Sequence, residues 1–253
     1  MTYETIRYQQ EGGVGMIIFN RPDSRNAISQ QMVREMNEVL DEIEADEGVR
    51  VVVITGGETV FCAGADLKEP FTFATSKRLN DLFTRIERLA KPTIAAISGY
   101  AYGGGCEISL CCDLRVASEA ALISLPEIKV GTIPSAGSAF RLPRLIGVGR
   151  AKEMHFLGEP VSGKEALSMG LINRLVPAGK VIDEARRIAA ILLDRPPLSL
   201  KATKECIHAG LQLDTDSAVN FVMNAANLLR STEDYQEGRN SFREKRKAVW
   251  KGR

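Results

Sequence analysis

The reading of this chain turns on Thr93-Ile94-Ala95-Ala96-Ile97-Ser98-Gly99-Tyr100-Ala101-Tyr102-Gly103-Gly104-Gly105-Cys106-Glu107. Its first five residues are a short continuous apolar run, the pattern of a strand buried on both faces. Residues 99–105 form a glycine-rich turn, and a helix is expected over 106–112. Working outward, Val51-Val52-Val53-Ile54 repeats the buried-strand pattern upstream and is followed by Gly56-Gly57. Downstream, Leu114-Arg115-Val116-Ala117 and Leu122-Ile123-Ser124-Leu125 read as short strands. Strand, loop and helix therefore recur with strands far apart, which predicts a mixed α/β fold with crossover connections.

The flanks agree. Thr5-Ile6-Arg7-Tyr8 and Gly15-Met16-Ile17-Ile18-Phe19 predict a hairpin around Gly12-Gly13. Ser29 is a candidate N-cap for a helix over 29–46. Met32, Met36, Val39 and Ile43 fall on one face of it, and Glu35, Glu38, Asp41, Glu42 and Glu44 give the rest an acidic character. A further helix is expected over 76–89, stopped by Lys91-Pro92. Beyond residue 181 no strand pattern appears, and helices are expected over 182–193, 199–210, 215–229 and 232–249. Arg195-Pro196-Pro197 interrupts them, which predicts an α/β core over 1–195 and a helical region over 196–253. Three short helices carrying Phe221-Val222 and Leu228-Leu229 need a further surface to pack on, either the core or a neighbouring subunit.

Composition narrows the function. The 253 residues carry 33 Lys+Arg against 32 Asp+Glu, a net charge of +1, which argues against a dedicated nucleic-acid binder. Two histidines, His155 and His208, are too few for a zinc site built on imidazoles, and no cysteine cluster replaces them, so no metal site is expected. Five cysteines without paired spacing read as reduced thiols. No apolar run is long enough to span a membrane, and residues 1–10 lack an apolar signal core, so a cytoplasmic location is the expectation.

The glycine cluster is not a nucleotide loop. No Gly-Lys-Ser/Thr follows it, and Gly99-Tyr100-Ala101 breaks the dinucleotide spacing. Bare backbone after a buried strand instead lets a ligand approach the first amides of a helix, whose N–H groups are unpaired and whose dipole is positive. That arrangement suits a developing oxyanion. Ala63-Gly64-Ala65-Asp66 offers a second amide by the same lack of bulk. Glu107 lies between Cys106 and Ile108, an expensive place for an idle charge, and Glu127 follows Pro126. Two carboxyls near such donors would form an acid/base pair. Each motif also has a plainer reading, as a tight turn, a helix-terminal charge or a surface acid.

Taken together, these motifs resemble the enoyl-CoA hydratase/isomerase, or crotonase, family. The likeness runs through Asn20-Arg21-Pro22, Asn26-Ala27, residues 61–69 and 99–107, Cys112-Asp113, Pro126-Glu127, Gly131-Thr132-Ile133-Pro134, Gly137, Arg141-Leu142 and residues 242–247. It implies a crotonase-like spiral of ββα units with a C-terminal helical region that builds homotrimers, often paired into hexamers. It implies an oxyanion hole from the amides of Ala65 and Gly104, and an acyl-CoA thioester as substrate. Ala63, Ala65, Asp66, Leu67, Lys68 and Gly104 would line the coenzyme A site. Phe242 and Lys245 would face its nucleotide end, where residues 238–253 carry seven basic residues and one acid.

Hydratases of the family resemble this chain in having both glutamates. The expected reaction is therefore syn addition of water to a trans-2-enoyl-CoA, as in fatty-acid β-oxidation, with Glu107 and Glu127 catalytic and no added cofactor. Leu125, Ser138 and Phe140 depart from residues common in the family and mark a place where the acyl pocket differs. The segment 70–82 is expected to line that pocket. A Δ3,Δ2-enoyl-CoA isomerase, or another reaction on a specialised acyl-CoA, is the alternative within the family. An RNA-binding role is a more distant one, opposed by the acidic first helix.

Overall fold

A computed structural model describes residues 3–70 and 72–253. Phe71, within the segment expected to line an acyl pocket, lies outside them. Strand β1 (Ile6–Glu11) and strand β2 (Val14–Phe19) form the antiparallel hairpin, with Gly12 and Gly13 as its turn. Helix α1 (Gln30–Ala45) is capped by Ser29, whose hydroxyl accepts from the Met32 amide at 3.1 Å. Strand β3 (Val51–Thr55) is buried throughout. Helix α2 (Phe73–Arg88) starts three residues before the expected position, because Thr72 and Thr75 close a reciprocal cap there.

Strand β4 (Thr93–Ile97) is followed by β5 (Tyr100–Tyr102), α3 (Gly104–Leu110), β6 (Leu114–Ser118) and β7 (Leu122–Ser124). A 3₁₀ turn over Pro126–Val130 leads into α4 (Ser138–Ile146) and α5 (Val148–Leu157). Then come β8 (Val161–Ser162), α6 (Gly163–Ser168), β9 (Arg174–Val176) and α7 (Val181–Leu193). The larger sheet has the order β1-β2-β3-β4-β6-β9, and every pairing after the hairpin is parallel. The smaller sheet is β5-β7-β8.

This topology follows a repeat. After β3, Cys62 bridges to Ala101, and α2 follows. After β4 the chain adds β5 to the smaller sheet, then α3. After β6 it adds β7 to that sheet, then reaches α4. Each pass lays one strand in the large sheet and one short segment beside the small one before a helix returns the chain. A parallel neighbour requires such a return.

Contacts divide the chain into two compact units. The first runs to Leu89 and continues over Thr93–Ala189; the second joins Ala90–Pro92 to Ala190–Arg253. The second contains α8 (Pro197–Gly210), α9 (Thr215–Arg230) and α10 (Glu233–Glu244). The last helix ends five residues before the expected limit, at Lys245, which has φ 53°. The chain then turns back on α10. Arg246 makes a two-pronged ion pair with Glu237 at 2.6 and 2.8 Å, and Asp234 accepts from the Lys251 and Gly252 amides. Ile207, Leu211, Met223 and Leu228 remain exposed on α8, its end and α9. Among the described residues no helix is long and apolar enough to cross a membrane.

One expected solvent charge is instead buried. Glu35 is 3% exposed and accepts from the Glu4 amide at 3.0 Å, from the Thr5 amide at 2.8 Å, and from the Thr5 hydroxyl and Gln31. It thereby satisfies the backbone at the entry to β1, which the helical wheel alone could not show. Burial pushes its carboxyl up, but these donors outweigh it and hold the group below the ordinary range. Stability from Glu35 is therefore present above the unfolded glutamate pKa, roughly 4.3, and is lost as pH falls through the lower folded value. We expect Glu35→Gln to cost about 1–2 kcal/mol at neutral pH and to flatten the acid limb of stability, measured by urea denaturation across pH.

Candidate active site

The site is built where α3 meets the loop after β3. The Cys62 amide donates to the Tyr100 carbonyl at 2.9 Å, and the Tyr102 amide donates back to the Cys62 carbonyl at 3.0 Å. Asn26 fixes the loop from the other side, its side-chain amide donating to the Gly56, Val60 and Phe61 carbonyls at 3.0–3.3 Å. Gly105 then packs so closely on the loop that an added Cβ would lie 2.3 Å from the Cys62 carbonyl oxygen.

This contact brings two amides together. An added Cβ on Gly104 would sit 3.5 Å from the Ala65 nitrogen, and one on Gly64 would sit 3.6 Å from the Gly104 nitrogen. The Ile28 amide donates to the Gly64 carbonyl, and the Asp66 amide donates to the Ile28 carbonyl, at 2.8 and 3.0 Å. In such a parallel bridge the middle residue, Ala65, turns its own N–H to the opposite side. Gly104 is the first residue of α3, so its amide has no acceptor within the helix. Both amides are unspent donors, and Gly64, at φ 105°, lets the loop make the bend between them.

Two carboxyls flank this place. Glu107, in the first turn of α3, is 2% exposed. Its Oε1 accepts from the Ala136 amide at 2.9 Å, the Ser138 amide at 3.1 Å and the Ser138 hydroxyl at 3.0 Å. Burial pushes its carboxyl up while those donors and the Arg141 charge oppose the rise. Glu127 sits in the 3₁₀ turn after β7. Its Oε2 is buried with no hydrogen-bond partner, and its Oε1 lies 2.6 Å from where a Cβ on Gly103 would be. Gly103 has φ 50° and leaves that space open. Burial first, and the Glu107 charge as well, push Glu127 up to about 7.

Arg141 supports the turn that faces Glu107. It forks onto Glu87 at 2.9 and 2.7 Å and donates to the Ala136 carbonyl at 2.7 Å. Its guanidinium lies 4.7 Å from the Phe140 ring centre. Ala136, Ser138 and Arg141 thus belong to the site. The sequence marked the positions of Ser138 and Arg141 but not their contact with Glu107 or its support.

The remaining expected residues are distributed as follows. Asp66 is 9% exposed and pairs with Arg21 at 2.8 Å, and this bond, opposed by burial, holds its carboxyl below the ordinary range. Its other oxygen accepts from the Lys68 amide. Ala63 donates its amide to the Arg25 carbonyl, and Leu67 is exposed beside the loop. Phe242 and Lys245 lie in the second unit, Phe242 fully open to solvent. Leu125 is a core residue. Beside Ala65 a narrow cleft is lined by Ile28, Val33, Pro70, Thr75 and Leu79. Burial pushes the Cys62 thiol up to about 12 and raises Cys106 too, so neither supplies a thiolate. Among the described residues no group of three or more His, Cys, Asp or Glu side chains could hold a metal ion.

The Gly105 contact gives a test with a clear sign. Helix propensity alone favours Ala over Gly by about 0.5–1 kcal/mol. The collision with the Cys62 carbonyl reverses that, and we expect Gly105→Ala to lose about 1–3 kcal/mol in thermal or urea unfolding.

Comparison with known proteins converges on one family. Residues 9–253 match the family model described as enoyl-CoA hydratase/isomerase. The chain is 38% identical over 254 residues to the short-chain-enoyl-CoA hydratase of Clostridium acetobutylicum, covering 98% of this chain and 97% of that one. It is 34% identical to the crotonyl-CoA hydratase of Syntrophomonas wolfei, covering 98% of each. A crystal structure of an enoyl-CoA hydratase from Bacillus anthracis superposes with a TM-score of 0.96 at 37% identity, covering 99% of this chain and 100% of that one. With both glutamates and both unspent amides at one place in the fold, the chain belongs to the enoyl-CoA hydratase/isomerase family.

Proposed function

We propose that the protein is an enoyl-CoA hydratase, adding water reversibly and syn across the double bond of a trans-2-enoyl-CoA. The observation that carries this reading is the pair of carboxyls, buried Glu107 and half-buried Glu127, beside the unspent amides of Ala65 and Gly104. The thioester oxygen accepts from both amides, which stabilise it most as negative charge develops. Glu107 accepts a proton from water as the water oxygen bonds to C3. The alkene electron pair moves toward the thioester, and Glu127 delivers a proton to C2. A proton then passes from Glu107 to Glu127 to restore the pair. The thioester itself polarises the alkene, so the scheme calls on no added cofactor. The similarity to proteins named short-chain-enoyl-CoA hydratase and crotonyl-CoA hydratase supports this substrate class.

In this scheme Ala63, Asp66, Leu67 and Lys68 border the coenzyme A moiety, with the Asp66 carboxylate acting through Arg21 to hold the loop. Phe242 and Lys245 serve its nucleotide end. The exposed apolar side chains of α8 and α9 support self-assembly through the C-terminal helices, as a homotrimer or a pair of trimers. The enzyme would serve fatty-acid breakdown in the cytoplasm.

The test is loss of the enoyl-thioester ultraviolet absorbance when the protein meets crotonyl-CoA. We expect rapid loss with wild type and a fall of at least about 10²-fold in Glu107→Gln and Glu127→Gln, the lower range for general acid–base groups. Binding of coenzyme A esters without any absorbance loss would sink the hydratase reading. Glu127 works in its protonated form, which is lost as pH rises through about 7. We therefore expect kcat/KM to fall on the alkaline side of that value, read from the same assay across pH.

A further inference from the structure

The two carboxyls share one site and one chemistry, yet their surroundings differ sharply. Three donors converge on a single oxygen of Glu107, at 2.9, 3.1 and 3.0 Å. Two are backbone amides, which any residue but proline at 136 and 138 would supply. The third is a side-chain hydroxyl, which most residue types would not. Glu127 has the opposite surroundings, one oxygen buried without a partner and the other against bare glycine backbone.

We propose that Ser138 is a positioning residue whose hydroxyl holds Glu107 as the proton-accepting member of the pair. The inference rests on the hydratase reading for its kinetic consequence, but its geometry stands without it. Ser138 is fully buried, so the hydroxyl is screened from water that could compete for it. A hydroxyl beside a carboxylate donates, and a donor aimed at the charged form favours that form. The Ser138 amide donates to the same Glu107 oxygen at 3.1 Å, so backbone and side chain are held together. The turn is anchored as well, since Arg141 grips the Ala136 carbonyl and Glu87 together. The hydroxyl is thus delivered from a rigid platform at one fixed oxygen, which also fixes the rotamer of Glu107.

Other charges around Glu107 do not do this work alone. Glu127, from the 3₁₀ turn, opposes ionisation of its twin, and Cys106 on α3 and Cys111 just after it are protonated thiols raised by burial. Arg141 on α4 favours the carboxylate but is shared with Glu87 of α2, and burial holds the His155 ring of α5 below its ordinary pKa, its Nε2 buried without a hydrogen-bond partner. Removing the hydroxyl leaves the amides and Arg141 in place, so the change should be graded rather than total.

Ser138→Ala and Ser138→Gly both delete the hydroxyl and differ in packing, so the pair separates donation from space filling. The free enzyme would be titrated by infrared difference spectroscopy, with the Glu107 carboxyl band assigned by its absence in Glu107→Gln. We expect the protonation midpoint to rise by about one pH unit in both variants, a tenfold change in the ionisation constant, and Ser138→Thr to restore it. The acid limb of kcat/KM on crotonyl-CoA should rise with it, while rates on the alkaline side of that limb approach wild type. An unmoved midpoint, a shift in only one of the two deletion variants, or a uniform loss of rate at every pH with no shift would overturn the role. The infrared shift without hydration by wild type would support the positioning role and reject the hydratase reading.

Discussion

The carbonyl of Cys62 occupies the space that any side chain at Gly105 would need, and the rest of the site depends on that contact. It lets the first turn of α3 press against the loop after β3. Without it the Gly104 and Ala65 amides would sit apart, and two donors at a distance cannot grip one oxygen. The neighbouring glycines extend the same logic. Gly64 bends the loop between the amides, and Gly103 clears room for the Glu127 carboxyl. Bare backbone is thus used to admit a carbonyl, a thioester and a carboxyl in turn. A nucleotide loop would also use glycines before a helix, but it would turn the amides toward phosphates and would need no buried acids beside them.

On this frame the acid and the base are told apart by what surrounds them. Burial raises both carboxyls. Glu107 gains three donors and a nearby guanidinium, whereas Glu127 gains almost none and feels the charge of its twin. Both carboxyls stay above the ordinary range, but donors restrain the rise at Glu107 and nothing comparable does so at Glu127, a difference that suits a reaction taking one proton and giving another. The sheet supplies rigidity at a distance: β4 and β6 hold the ends of the segments that carry α3 and the 3₁₀ turn, and Arg141 ties the facing turn to α2.

Much of this was legible in the chain. Continuous apolar runs such as residues 51–54 and 93–97 mark parallel strands because both faces are covered, and Ser29 marks its helix because only a short polar side chain satisfies the first amides. The glycines around residue 104 and the lone acid among apolar neighbours at Glu107 mark the site in the sequence itself. What escaped reading has a common cause. The strand Tyr100–Tyr102 is too short to show a period and exists because β7 pairs with it. Glu35 looked like one more surface acid, since its partners at Glu4 and Thr5 are distant in sequence. The last helix ends short of its sequence pattern because Glu237 captures Arg246 and the Val249 amide, a contact with no local signature. The hydroxyl on Glu107 comes from Ser138, thirty-one residues away, and no spacing rule connects them.

The central claim is that this geometry adds water to a conjugated thioester, and the most direct measurement follows the water. The protein would be incubated with crotonyl-CoA in oxygen-18 water and the acyl products resolved by mass spectrometry. The account expects a 3-hydroxyacyl-CoA that carries the heavy oxygen, formed by wild type and lost with Glu107→Gln. A product with a shifted double bond and no oxygen from solvent would contradict it and assign the same carboxyls to proton shuttling between carbons.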